Sequence, residues 1–262
     1  MSGALDTLLR EGEPDPFELI NPEGRSELVL LCDHASNRVP ARLNNLGLGD
    51  ELLASHIGWD PGAASLAKAL AARLDAPLLL STYSRLVIDC NRHPTAAASI
   101  PAASDGVVVP GNAALSDADA KLRRNSLFDP YHDAIDQLLD TRDRRATRLL
   151  SIHSFTPCLA GFDRPGFDRP GFDRPWSIGV CYRLDASWAA QWLAALRAML
   201  TEPVGDNQPY KIEQDIDYTL PMHGEARQLP GIMLEFRQDT LQDQHAVQRW
   251  SERIAECWSS MA

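Results

Sequence analysis

Two histidines stand directly behind short apolar runs, His34 behind Leu28–Cys32 and His153 behind Arg148–Ile152. A catalytic zinc takes about three protein ligands from His, Asp or Glu and lowers the pKa of a water in its remaining position to about 7. Asp60, just ahead of the helix-like stretch Pro61–Leu74, is the carboxylate placed to complete such a set, unless it only caps that helix. In Leu234-Glu235-Phe236-Arg237 polar and apolar residues alternate, so period-two geometry puts Glu235 and Arg237 on one face. Glu235 then suits a general base that takes a proton from water. Arg237 is either its structural partner or, like Arg85, a cation for the oxygen of an attacked carbonyl. Arg85 and Arg92 flank Leu86–Asp89, and an arginine fork grips a carboxylate in a way that lysine cannot. The plain alternative for Arg92 is an internal pair with Asp89. Together these residues imply hydrolysis of an amide in a small anionic substrate, assisted by one zinc ion per chain.

The other histidines rank lower. His56 lies in a helix-like, solvent-facing context, and His93, followed by Pro94, shapes a loop. His132 and His245 sit among charged residues of helical stretches, which predicts solvated surface for both. His223 neighbours Glu225 and Arg227 just ahead of the last strand, a setting for the substrate pocket or for a place behind the ligands. Ser154, beside His153, is a poor partner for it, because adjacent residues of a strand point to opposite faces.

These groups meet only if their segments end side by side. Open α/β sheets place ligands beyond the carboxyl ends of their strands. Leu28–Cys32, Leu78–Ser81, Leu86–Asp89, Arg148–Ile152, Ile178–Tyr182 and Ile232–Phe236 read as strands. Helices are predicted over Pro61–Leu74, from Ser116 to about Arg145 with a break at Pro130, over Ser187–Leu200 and over Gln242–Cys257. Strands alternating with helices predict an α/β fold with a largely parallel sheet covered on both faces. No shift in composition marks a boundary, so residues 27–262 read as one catalytic domain behind an irregular arm of residues 1–26.

The bulk properties narrow the partners. A net charge of −11 disfavours nucleic acid and anionic membrane surfaces, which attract basic faces. No apolar stretch reaches the roughly 18 residues of a membrane span. The five cysteines have no paired close spacing, and the start of the chain lacks a secretory pattern, so reduced thiols in a cytoplasm are expected. Gly161–Pro175 is three copies of Gly-Phe-Asp-Arg-Pro, too short for a solenoid and hostile to helix. It reads as an exposed loop lengthened by duplication, or as a lid, since it follows the His153 segment so closely.

Five ordered runs carry a resemblance: Leu31-Cys32-Asp33-His34-Ala35-Ser36-Asn37; Tyr83 to Pro94 with Asp89-Cys90-Asn91-Arg92; Ile152-His153-Ser154-Phe155-Thr156-Pro157; Gly205-Asp206-Asn207-Gln208-Pro209-Tyr210; and Glu235-Phe236-Arg237-Gln238-Asp239. Over about residues 25 to 255 the chain resembles the N-formylglutamate amidohydrolase family, most closely its broad bacterial branch. It is more distantly similar to zinc carboxypeptidases and aspartoacylases. The resemblance implies a single-domain three-layer αβα fold of the zinc-exopeptidase (phosphorylase/hydrolase-like) kind. It also implies zinc on His34 and His153, Glu235 as base, and a small anionic N-acyl amino acid as substrate. Asn91 and Arg92 are then implied to grip its carboxylate, with Asn207 and His223 in the substrate pocket. In one respect the chain departs from the carboxypeptidase pattern. Where they carry His-x-x-Glu, this chain has His34-Ala35-Ser36-Asn37, so the carboxylate ligand falls to Asp60.

Overall fold

Leu28–Cys32 (β2) is buried at every position, and its side chains divide by period two. Leu28, Leu30 and Cys32 enter one apolar layer, and Val29 and Leu31 enter another. The two layers are the two faces of a seven-stranded sheet. In the computed structural model, which describes residues 8–159 and 172–261, its other strands are Phe17–Ile20 (β1), Leu78–Ser81 (β3), Arg148–Phe155 (β4), Ile178–Cys181 (β5), Val204–Asp206 (β6) and Gly231–Arg237 (β7). The order across the sheet is β1-β3-β2-β4-β7-β5-β6.

Strands β3, β2, β4 and β7 run parallel, as the alternation of strands and helices predicts. Both edges differ from expectation. Phe17–Ile20 lies in the predicted irregular arm yet pairs antiparallel with β3, and β5 runs antiparallel to β7. The sheet is therefore mixed at its margins and parallel at its centre.

Helices Ala63–Leu74 (α1), Ala186–Met199 (α3) and Gln244–Ser260 (α4) cover one face, and Asp129–Asp140 (α2) covers the other. Helix α1 buries Ala63, Leu66, Ala67, Leu70 and Ala71, the three- and four-residue spacing of a single apolar stripe. Each fully buried leucine contributes about 2 kcal/mol by removal from water. The result is the three-layer αβα, single-domain α/β architecture that the resemblance implies. No helix among the described residues is long and apolar enough to cross a membrane.

Two local readings need correction. Leu86–Asp89 forms turns, not a strand. The Ser84 hydroxyl accepts from the Leu86 amide and its carbonyl from Val87, while Leu86, Val87 and Ile88 fill a satellite apolar cluster with Leu46 and Phe128. Burial without pairing explains their apolar character. Nor does Pro130 break the helix. A π-helical turn, Arg124–Phe128, joins Asp117–Arg123 to α2 and puts the proline in the first turn of α2, where its missing N–H is tolerated. The pentapeptide copies at 161–165 and 166–170, with Gly171, lie outside the described residues.

Candidate metal centre

His34 stands two residues past the end of β2, and His153 lies within β4, the neighbouring parallel strand. Asp60 reaches them from the turn before α1. It does not cap that helix with its side chain, since Gly62 occupies the cap position in a left-handed conformation. Its own amide instead donates to the His34 carbonyl. Asp60 Oδ2 lies 3.3 Å from His34 Nδ1 and 2.9 Å from His153 Nδ1. Among the described residues, His34, Asp60 and His153 are the group whose donor atoms could hold a metal, all within 4.8 Å of one another, and all three are buried.

The far nitrogen of each ring is anchored. His34 Nε2 lies 2.7 Å from Asp89 Oδ1, and His153 Nε2 lies 3.1 Å from Asp33 Oδ2. A carboxylate only accepts, so each Nε2 carries its hydrogen, and each Nδ1 meets Asp60 either as a protonated donor or, once that proton is lost, as a lone pair free for a metal. Three donor atoms thus converge on one point, where either protons on the rings or a metal cation can satisfy Asp60. Two imidazoles and one carboxylate, each ring backed by a carboxylate, suit zinc. Asp33 is itself held by the Tyr131 and Thr219 hydroxyls at 2.9 and 2.8 Å.

Electrostatics follow from this packing. Burial works against ionised Asp33, but the hydrogen bond and charge of His153 outweigh it and bring the carboxyl to about 2. Burial also opposes ionised Asp60, whose two histidines nevertheless hold it well below the usual carboxylate range. Both rings gain proton affinity: burial and, for His34, Arg85 oppose it, and the surrounding carboxylates prevail. Proton and metal therefore compete for the same lone pairs.

Glu235 is the cross-strand partner of His153 in the β4–β7 register. Burial is the main force pushing its carboxyl up, to about 7. Its Oε2 is buried and has no hydrogen-bond partner among the described residues. An orphaned carboxylate oxygen beside three convergent ligand atoms is expensive unless a bound group or solvent uses it. Arg85 donates to Asp89 Oδ2 from Nη2 (2.8 Å) and to Asp60 Oδ1 from Nη1 (3.5 Å), which fixes its guanidinium at the rim of the cluster.

Over these groups opens a cavity of about 540 Å³ that Arg85, Asn91, Arg92, Asn207, Tyr210 and Glu235 help to line. One wall arrives from the antiparallel edge. Asn207, at φ 49°, accepts the Tyr182 amide on its side-chain oxygen, and the following Gln208 carbonyl lies over β5. A Cβ at Gly179 would sit 1.9 Å from that carbonyl, so glycine is what lets the segment close over the strand.

Residues 26–242 match the family model described as N-formylglutamate amidohydrolase. The chain belongs to that family. Its fold matches the crystal structure of a gene product of Agrobacterium tumefaciens, with a TM-score of 0.86 and 29% identity over 97% of this chain and 99% of the other. It also matches the crystal structure of an N-formylglutamate amidohydrolase from Ralstonia eutropha, with a TM-score of 0.63 and 23% identity over 93% and 98% of the two chains. No curated protein matches. The first comparison agrees with the αβα architecture, and the second is a likeness of fold alone.

Two residues expected in this family site lie elsewhere. Arg237 shares a strand with Glu235, but it pairs with Asp239 at 2.8 Å and donates to the Arg174 carbonyl. It lines a separate depression against α4, so the strand end carries it past the cavity. His223 is buried against α2, with Nε2 2.8 Å from His132 Nδ1 and Nδ1 2.9 Å from Asp136 Oδ1. His132, expected on the surface, is buried as well, and its Nε2 donates to the Cys90 carbonyl at 2.9 Å. His245 is exposed, as expected. Asp33 and Asp217 were not anticipated from sequence, and Asp89, expected only as an internal partner for Arg92, bonds instead to His34 and Arg85 while Arg92 pairs with Asp217. The only hint for Asp33 and Asp89 is an acidic residue adjacent to His34 or Arg85's turn, which cannot reveal a partner as distant in sequence as His153 is from Asp33.

The buried His132 gives a test by pH. Burial and then the His223 ring lower its pKa to about 3. Its contribution to stability is intact above the unfolded value near 6.5 and is lost as pH falls toward 3, because the unfolded chain takes the proton first. The slope approaches about 1.4 kcal/mol per pH unit. Between pH 7 and 5 the melting temperature of wild type therefore drops more steeply than that of His132→Gln. Parallel curves would refute this.

Proposed function

We propose that the chain is a zinc-dependent amidohydrolase that releases an N-formyl or other small N-acyl group from an acidic amino acid, typified by N-formyl-L-glutamate. The observation that carries this is the buried His34–Asp60–His153 cluster with the unpartnered Glu235 oxygen beside it. Zinc held by the three residues would supply Lewis acidity, activating water and polarising the acyl carbonyl. Glu235 takes the proton of the attacking water and passes it to the leaving nitrogen, so that amide and water become formate and free amino acid. Arg85, already oriented by Asp89 and Asp60, faces the carbonyl oxygen as it gains charge, with no side chain left to reorganise. Arg92 receives the substrate carboxylate, and Asn207 shapes the adjoining wall.

Zinc-loaded protein offered formyl-Glu, formyl-Asp, acetyl-Asp and dipeptides is expected to release formate from formyl-Glu fastest. Turnover of peptides alone would overturn this reading. A related hydrolase for a longer N-acyl or peptide substrate is the second reading. Tyr210 and Ile216, apolar residues of the cavity lining that are 41% and 43% exposed, favour it.

A further inference from the structure

Asn91 was expected to share the substrate carboxylate with Arg92. Its side-chain oxygen instead accepts the amides of Tyr218 and Thr219 at 3.2 and 3.1 Å. That docks the segment 217–219 and points Asp217 at Arg92. Asp217 Oδ1 accepts from Arg92 Nη1 at 2.6 Å, and its Oδ2 accepts the Glu213 amide at 2.8 Å. The carboxylate is thus fixed from two sides, by a turn of its own segment and by the arginine. Its oxygen also lies 3.5 Å from Asn91 Nδ2.

The same Arg92 nitrogen donates to the Asn91 carbonyl at 2.9 Å. Nη1 has two hydrogens, and these two acceptors account for both. The bonds of Arg92 to described residues therefore run from Nη1, on a residue that lines the cavity. The Nε and Nη2 hydrogens form the side-on edge that meets a carboxylate through two parallel bonds. A long, flexible arginine held at one terminal nitrogen keeps that edge in one orientation.

We infer that Asp217 is a positioning residue, which clamps Arg92 so that its Nε–Nη2 edge receives the substrate carboxylate. The inference rests on the proposed role of Arg92. The opposite case has a clear physical form: a carboxylate already on Arg92 could compete with the substrate's. The docking of 217–219 on Asn91 and the Glu213 amide on Oδ2 argue against it, because Asp217 cannot withdraw without dismantling its own turn.

The two cases predict opposite signs. With zinc-loaded enzyme and N-formyl-L-glutamate, Asp217→Asn, which can still cap the turn, is expected to raise KM roughly five- to tenfold, an effect carried by KM more than by kcat. In an Arg92→Ala background the same substitution should change KM less than twofold, the coupling expected of two groups that act as one unit. An unchanged or lower KM for Asp217→Asn, or an equal effect in both backgrounds, overturns the inference. Calorimetric titration of the same four proteins with L-glutamate reads the coupling without turnover. Binding weakened by Asp217→Asn only while Arg92 is present supports the clamp even if N-formylglutamate is not cleaved. Equal binding by all four proteins, or none to wild type, overturns it.

Discussion

Glu235→Gln leaves bound zinc unchanged and lowers kcat by about 10²- to 10⁴-fold, the usual range for loss of a general base. The substitution is nearly isosteric, so the wall that Glu235 shares with His153 keeps its shape. What goes is the ability to take and return a proton. The residue sits where burial raises the carboxyl to about 7, an affinity suited to accepting a proton and giving it back near neutral pH. Metal analysis together with initial rates checks both halves. Activity retained within about tenfold would remove Glu235 from the role of base. Zinc lost along with activity would make it a structural partner of the cluster. A zinc-loaded wild type that cleaves no amide at all would instead favour a protein that only binds acidic metabolites.

The second large effect is on the metal itself. Asp60→Ala and His153→Ala each remove one of three convergent donors, and zinc binding should weaken by more than the roughly 10–100-fold typical of losing only an outer partner of a ligand. Asp33→Asn supplies that smaller benchmark, since Asp33 touches His153 only through Nε2. The expected order of zinc per chain after dialysis is wild type, then Asp33→Asn, with Asp60→Ala and His153→Ala lowest. Activity should follow the same order and return when excess zinc is restored to Asp33→Asn. Full zinc content in Asp60→Ala would refute its assignment as a ligand.

The elements that are apolar by themselves were the legible ones. Leu28–Cys32 and Ile232–Phe236 announce buried strands because both of their faces are covered. From there His34, His153 and Glu235 follow as neighbours, since parallel strands end on the same side. Leu86–Asp89 misled because a buried loop and a buried strand present the same apolar run, and only the partner of each backbone amide separates them. Arg237 misled for a different reason. Alternation fixes the face of a strand but not how far along it the site extends. Asp33, Asp89 and Asp217 act on residues that the fold brings to them, and nothing in their own neighbourhoods records that meeting.

The mixed direction of the sheet divides the labour of the molecule. The groups that would cut the bond hang from the central strands or the turn before α1, whereas residues 207–217 are delivered from the antiparallel margin, across Gly179. Two supports of opposite polarity can be altered independently. The marginal stretch is therefore the natural place to retarget this amidohydrolase-family chain, by grafting in a relative's version while the His34–Asp60–His153 cluster stays untouched.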